Sequence, residues 1–272
     1  MVLGISSFTY GWAVGVDQDL TSTPMTEIGL VKKSTEFRIK CIQLGDNLPV
    51  HIFSKERLDL LTKITQENLI RLEIGAKELT AENLAHYISL ASSLQAPLLR
   101  FIIDGSGYEP SIQTVAAIIK EALPQLVKEK ITLGIENHDR FKAKELASLM
   151  EVVDSERVGI CLDCVNSMGA GEGLEYVSDI LVPYTVNLHI KDLMVTRMPH
   201  KMGFTITGAP AGMGMTDVPM LMEKLSKYNR CQSAILEQWV PYENNLQQTI
   251  ATEKQWAEQS IDYLKGLSYF KL

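Results

Sequence analysis

Cysteine is scarce in this chain, and the four that occur, Cys41, Cys161, Cys164 and Cys231, are too scattered over 272 residues to form a disulfide framework. Reduced thiols follow. Long apolar runs are also missing: none approaches the roughly 20 residues needed to cross a bilayer, and the opening MVLGISSF has no basic segment ahead of a signal-like core. The sequence therefore reads as a cytoplasmic protein with no membrane partner. Positive charge is in deficit, 26 Lys+Arg against 33 Asp+Glu, for a formal net charge of -7. Nucleic acid rewards the opposite balance, so a small molecule is the expected partner, with self-association into a homo-oligomer left open. Low-complexity tracts and linkers are lacking too, which leaves no seam at which to divide the chain.

What is present is a repeat of two alternating textures. Eight short runs rich in β-branched and aliphatic residues recur along the chain: VLGISS, KCIQLG, IRLEIG, PLLRFII, ITLGIE, RVGICLD, TVNLHI and SAILEQ. Between them lie segments with apolar positions three and four apart, such as 54–69, 80–95 and 142–153, and Ser54 and Thr80 stand where helix N-caps are needed. Strand and helix alternating at this spacing demand a parallel sheet. Eight such units without a spare strand predict an α/β fold closed into a single-domain (βα)8 TIM barrel over residues 1–272, in preference to an open doubly wound sheet. Pro124 falls inside an otherwise helical segment, predicting a kinked or divided helix there.

One connection is out of proportion. Residues 192–215, DLMVTRMPHKMGFTITGAPAGMGM, separate NLHI from the helical pattern TDVPMLMEKLSKY, where barrel loops commonly take a handful of residues. A loop of this length is expected to serve function.

In a parallel barrel the catalytic groups come from the carboxyl ends of the strands, which open onto one face. The last four runs end in Glu136, Asp163, His189 and Glu237. One acidic residue at a strand end commonly does no more than cap it or form a surface ion pair. Three carboxylates gathered at one rim would repel one another and raise their own pKa values unless a cation lay among them. With an imidazole they form a hard, mixed donor set for one divalent metal ion: Mn²⁺ first, then Mg²⁺, Co²⁺ or Zn²⁺.

GIENHDR, GICLDCVNS, NLHIKD and ILEQW resemble the metal-site motifs of the sugar phosphate isomerase/epimerase family, the xylose-isomerase-like barrels that include ketose 3-epimerases and hydroxypyruvate isomerases. The resemblance extends over the whole chain as strand-helix order and is carried at motif level by the last four runs. It implies that Glu136, Asp163, His189 and Glu237 bind one metal and that Glu136 and Glu237 are the catalytic acid-base pair. A ketose or sugar-acid derivative would then be isomerised or epimerised through an enediolate. The family often has His three residues after the sixth-strand Asp; here that position is Asn166, which can bond a hydroxyl but cannot take a proton.

The long connection adds a second alternative. Its Arg197, His200 and Lys201 are potential substrate-binding cations, and the chain is also similar to a subgroup that decarboxylates 3-oxo sugar acids of the 3-oxo-isoapionate type. Lys191 shares the side of the strand that carries His189 and is a further substrate contact, and Trp12 is a candidate apolar wall. The endonuclease branch of the same superfamily needs many histidines and a basic groove; five histidines and a charge of -7 argue against it. A catalytically silent sugar-binding barrel is the remaining alternative.

Other signals carry less. Cys161-Leu-Asp-Cys164 matches CxxC, but strand alternation sends the two thiols to different sides, so both are assigned to packing. GAPAGMGM lacks the Lys-Ser/Thr of a phosphate loop and is read as a bend, with amides near Thr216 able to meet an anion. His138 lies past its strand end, beside or beyond the site, and Arg100 suits a buried ion pair.

Overall fold

Each of the eight apolar runs forms a strand in the computed structural model, which describes residues 1–16 and 22–271. They are β1 (Val2–Ser6), β2 (Cys41–Leu44), β3 (Arg71–Ala76), β4 (Leu98–Phe101), β5 (Thr132–Glu136), β6 (Val158–Asp163), β7 (Thr185–Ile190) and, after an inserted pair, β10 (Ser233–Leu236). All pair in parallel around a closed barrel in the order β1-β10-β7-β6-β5-β4-β3-β2. The helices are α1 (Gly11–Val14), α2 (Glu27–Glu36), α3 (Lys55–Glu67), α4 (Ala81–Ser93), α5 (Ile112–Glu129), α6 (Ala143–Val153), α7 (Leu174–Leu181), α8 (Val218–Ser226) and α9 (Leu246–Gly266). Thr26, Ser54, Thr80, Ser111, Asp217 and Asn245 each accept a first-turn amide with their side chains, which is why the helices start where they do.

Alternation along each strand divides the interior. Leu3, Ile5, Ile42, Leu44, Leu99, Phe101, Leu133, Ile135, Leu188 and Ile190 are fully buried and belong to the main hydrophobic core. The intervening positions Gln43, Glu73, Asn187 and Ser233 hydrogen-bond across the barrel, so they point inward. Near its start, β7 shifts register against β6: Ile160 pairs with Thr185, yet Cys161 pairs with Asn187. The skipped residue, Val186, presses on the neighbouring strand, where a Cβ at Gly159 would come within 2.4 Å of it. Past this bulge Asp163 lies level with His189.

Two expectations are corrected. α5 is not divided at Pro124 but runs through it from Ile112 to Glu129; Pro124 and Lys120, whose carbonyl loses its donor there, are both exposed residues. Residues 192–215 are not a plain loop either. They contain an antiparallel hairpin, β8 (Asp192–Arg197) with β9 (Phe204–Ala209), followed by the glycine-rich bend. Asp192, at the root of the hairpin and almost fully buried, accepts amide hydrogens from Leu193 (2.8 Å) and from Gly212, Gly214 and Thr216 (2.9 Å each). The amides expected to meet an outside anion are therefore taken by the protein's own carboxylate. Gly212 turns the chain there at φ +84°.

Candidate metal centre

β10, β7, β6 and β5 are consecutive in the barrel wall, so their ends bring Glu237, His189, Asp163 and Glu136 together. All four are buried. His189 Nδ1 lies 3.6 Å from Glu136 Oε1, 3.8 Å from Asp163 Oδ2 and 3.4 Å from Glu237 Oε2. Such spacing suits donors that share one ion, since bonds of about 2.1 Å in a tetrahedral array set neighbouring donors roughly 3.4 Å apart.

Three buried donor atoms here lack an aligned hydrogen bond: His189 Nδ1, and Glu136 Oε2 and Asp163 Oδ2, which meet only the side-chain cations of Arg100 and Lys191. Buried polar atoms are otherwise satisfied almost throughout proteins, and a cation would satisfy these. The donor set of three carboxylates and one imidazole fits a hard divalent metal. Cys161 Sγ also lies within 4.8 Å of Glu136 and His189 donors. Its thiol donates to Asn187 Oδ1 at 3.0 Å, and burial, then Glu136, push its pKa well above the ordinary thiol value. It therefore remains a protonated packing group.

The remaining lone pairs are held from outside the cluster. Asp163 Oδ1 accepts from the amides of Val165 and Asn166 at 2.8 Å. Asn166 donates to Glu136 Oε1 at 2.9 Å, and Ser6 donates to Glu237 Oε1 at 3.0 Å. Asn137 donates to the carbonyl of Asp163 and accepts its amide, which locks the end of β5 to the end of β6. Arg140 forks onto Asp104 and bonds the Pro110 carbonyl. The polar stretch at the end of β5 thus holds a candidate ligand, Glu136, followed by two structural ties, Asn137 and Arg140.

Two cations border the site, Arg100 fully buried and Lys191 partly buried. Arg100 Nε lies 3.1 Å from Glu136 Oε2 and Arg100 Nη1 3.1 Å from Asp46 Oδ1. Lys191 Nζ lies 2.8 Å from Asp163 Oδ2 and 3.1 Å from Glu237 Oε2. Burial alone would raise the Glu136 carboxyl, but Arg100 foremost, then His189, hold it far below the usual range. Burial would likewise lower Lys191, yet Asp163, then Glu237, keep its ammonium charged above its ordinary value.

Beside Lys191 opens a cavity of about 170 Å³ lined by Phe8, Val165, Asn166, Lys191, Gln238 and Trp239. Phe8 and Trp239 supply its apolar wall. Trp12 is instead tied to the Val240 carbonyl through its indole and tilts against Tyr242. Arg197, His200 and Lys201 sit at the exposed tip of the hairpin, where the Arg197 guanidinium covers the Phe204 ring and donates to the Lys201 carbonyl. His138 is on the loop surface beside Asp139.

Sequence reading missed Ser6, Gln43, Asp46, Glu73 and Asn137 as parts of this neighbourhood. A polar residue inside an apolar strand run, Gln43 in CIQL and Glu73 in RLEIG, was the available signal.

The family model for the xylose isomerase-like TIM barrel matches residues 31–267. The chain belongs to that family. It is 26% identical over 264 residues, 97% of this chain and 95% of its relative, to a 3-oxo-isoapionate decarboxylase of Pectobacterium atrosepticum. Among solved structures it superposes on D-psicose 3-epimerase of Clostridium cellulolyticum H10, crystallised with D-tagatose, with a TM-score of 0.70, 14% identity and 98% of each chain covered. A Mycobacterium smegmatis barrel in complex with magnesium superposes with a TM-score of 0.68, 12% identity and 97% of each chain covered. A decarboxylase is thus among the chain's sequence relatives and an epimerase among the proteins that share its fold, and among the described residues no helix is long and apolar enough to cross a membrane.

Proposed function

We propose that this barrel is a metal-dependent decarboxylase of a 3-oxo sugar acid. The observation that carries the reading is that each prospective acid-base glutamate already faces a cation, Glu136 the buried Arg100 and Glu237 the partly buried Lys191. Epimerisation needs a carboxylate to remove a proton from carbon, and an efficient base has a pKa near the working pH. A Glu136 held deep in the ionised range is poor at that task. Loss of CO₂ from a 3-oxo acid requires no such proton removal. The full-length similarity to 3-oxo-isoapionate decarboxylase supports the same choice.

A divalent ion held by Glu136, Asp163, His189 and Glu237 would supply Lewis-acid chemistry toward the ketone oxygen, with Mn²⁺ the first choice. The protein's own groups account for the rest. Asn166 and Lys191, lining the cavity, orient substrate oxygens by hydrogen bonds. The bond between C2 and the carboxylate carbon breaks, CO₂ leaves, and its electron pair passes through C2 and C3 to the ketone oxygen as an enolate. With an ion on Asp163 and Glu237 offsetting the charges that hold its proton, Lys191 Nζ then gives that proton to C2 and regains one from solvent, to which its side chain is 15% open. Phe8 and Trp239 keep water from the departing carboxylate. Arg100 is committed to Glu136 and Asp46, so it does not clamp that carboxylate and stabilise the ground state.

A second reading, epimerisation or isomerisation of a ketose derivative through an enediolate, is favoured by one feature. Glu136 and Glu237 approach His189 Nδ1 from strands on either side, at 3.6 and 3.4 Å. The deciding experiment incubates Mn²⁺-loaded protein with a panel of 3-oxo aldonates and ketoses in deuterated water. Stoichiometric CO₂ from a 3-oxo acid supports the decarboxylase. Exchange of a carbon-bound hydrogen with no carbon lost replaces it with the second reading.

A further inference from the structure

Barrel interiors are ordinarily filled by layers of branched apolar side chains. This one carries a buried polar layer beneath the metal centre: Gln43, Glu73, Cys161, Asn187 and Ser233. Burying a carboxylate and two amides is costly unless every group is paired. The pairing has a direction.

Glu73, fully buried, accepts from Ser233 Oγ (2.6 Å), Arg71 Nε (2.7 Å), Gln43 Nε2 (3.2 Å) and Asn187 Nδ2 (3.4 Å). The second hydrogen of Gln43 Nε2 goes to Asn187 Oδ1 at 3.1 Å. Asn187 is itself fixed, donating to Ser233 Oγ at 2.9 Å and accepting the Cys161 thiol at 3.0 Å. An ionised carboxylate can only accept, so Gln43 must turn its amide nitrogen toward Glu73. Its carbonyl is left facing upward, where Oε1 meets His189 Nε2 at 2.7 Å. Nε2 must then carry the hydrogen, and the lone pair stays on Nδ1, the atom that faces Glu136, Asp163 and Glu237. A reversed Gln43 would set its carbonyl against a carboxylate and push the imidazole hydrogen onto the wrong nitrogen.

We propose that Glu73, acting through Gln43, is a positioning residue that selects which nitrogen of His189 is presented to the metal. Metal-ligating histidines are commonly oriented by the partner of their other nitrogen, and losing that partner costs roughly 10–100-fold in metal affinity. This inference deepens the metal-centre reading and rests on it, but its first readout needs no metal.

The test is ¹⁵N NMR of imidazole-labelled, metal-free protein at pH 9, with the His189 signal assigned by its loss in H189N. Wild type is expected to show a slowly exchanging Nε2–H correlation for His189. Gln43→Leu, which removes the acceptor, and Glu73→Gln, which lets Gln43 reverse, are expected to lose that correlation. Titration calorimetry with Mn²⁺ should show affinity at least 10-fold weaker in each variant that keeps the wild-type circular dichroism. A His189 in wild type that carries its hydrogen on Nδ1 alone overturns the proposal. So does a folded variant that changes Mn²⁺ affinity by less than threefold. If one substitution unfolds the barrel, the other decides; if both do, the wild-type spectrum alone decides. A wild type that binds no divalent ion sinks the metal-centre reading, while the spectrum still judges the tautomer.

Discussion

Arg100 and Glu136 meet inside the barrel, Nε 3.1 Å from Oε2, with neither side chain more than 3% exposed. The guanidinium packs over Gly75, where a Cβ would stand 3.0 Å from Nε. Removing one member of such a buried pair strands the other, at a cost of roughly 3–5 kcal/mol. Arg100→Met should therefore lower the unfolding free energy of the metal-free protein by that amount in urea titrations. A loss under 1 kcal/mol would mean that Glu136 does not depend on this partner.

Chelation gives a second check. Wild-type protein stripped with EDTA should gain about 2.7 kcal/mol of stability when Mn²⁺ is supplied at 100 times its Kd. Asp163→Ala and His189→Ala should show no gain. Thermal melts with and without the ion measure it.

Lys191 separates binding from turnover. Its ammonium lies against Asp163 and Glu237, two of the carboxylates that would hold the ion, so it competes with the ion. Lys191→Met should bind Mn²⁺ more tightly than wild type in calorimetry. The same variant should lose about 10²-fold in kcat as a proton donor disappears. Weaker metal binding would mean that Lys191 supports the site without rivalling the ion.

Asp192→Asn should loosen the root of the hairpin. The carboxylate serves four backbone amides, and an amide side chain cannot accept them all. A loss of roughly 2–3 kcal/mol is expected from bonds to a charged acceptor. Hydrogen exchange should accelerate at Gly212, Gly214 and Thr216 before it does so in the barrel strands.

Glu253 sets a pH dependence. Burial raises its pKa from 4.5 to about 7, against the opposing pull of the Trp12 and Ala13 amides. A carboxyl raised by folding binds its proton more tightly in the native state. Its contribution is therefore full below pH 4.5 and is lost as pH rises through about 7. A shift of that size corresponds to about 3 kcal/mol. Glu253→Gln should flatten the decline in stability between pH 5 and 7.5, measured by chemical unfolding at a series of pH values.

The strands and the four converging donors were legible because each rests on a local signal. Parallel strands covered on both faces appear as short apolar runs, and a charged residue at the end of such a run is conspicuous. What escaped notice was set by distance. Gln43 and Asn187 are 144 positions apart and meet only because the barrel closes. Pro124 read as a kink or a division, and the helix is not divided there because the proline lies on its exposed side, which sequence alone does not tell. The hairpin read as a loop because β8 and β9 are largely solvated and lack a buried apolar face.

The double anchorage at Asp192 gives the segment from 196 to 205 the character of a cassette. One side chain clasps the start of the excursion and its return, so the largely exposed residues 196–205 can be exchanged while Gly208, packed against the Trp239 backbone, and Ala211, bonded to Ser260, stay in place. Grafting hairpins of other lengths between those fixed ends offers a way to alter what reaches the mouth while leaving the chemistry beneath it in place.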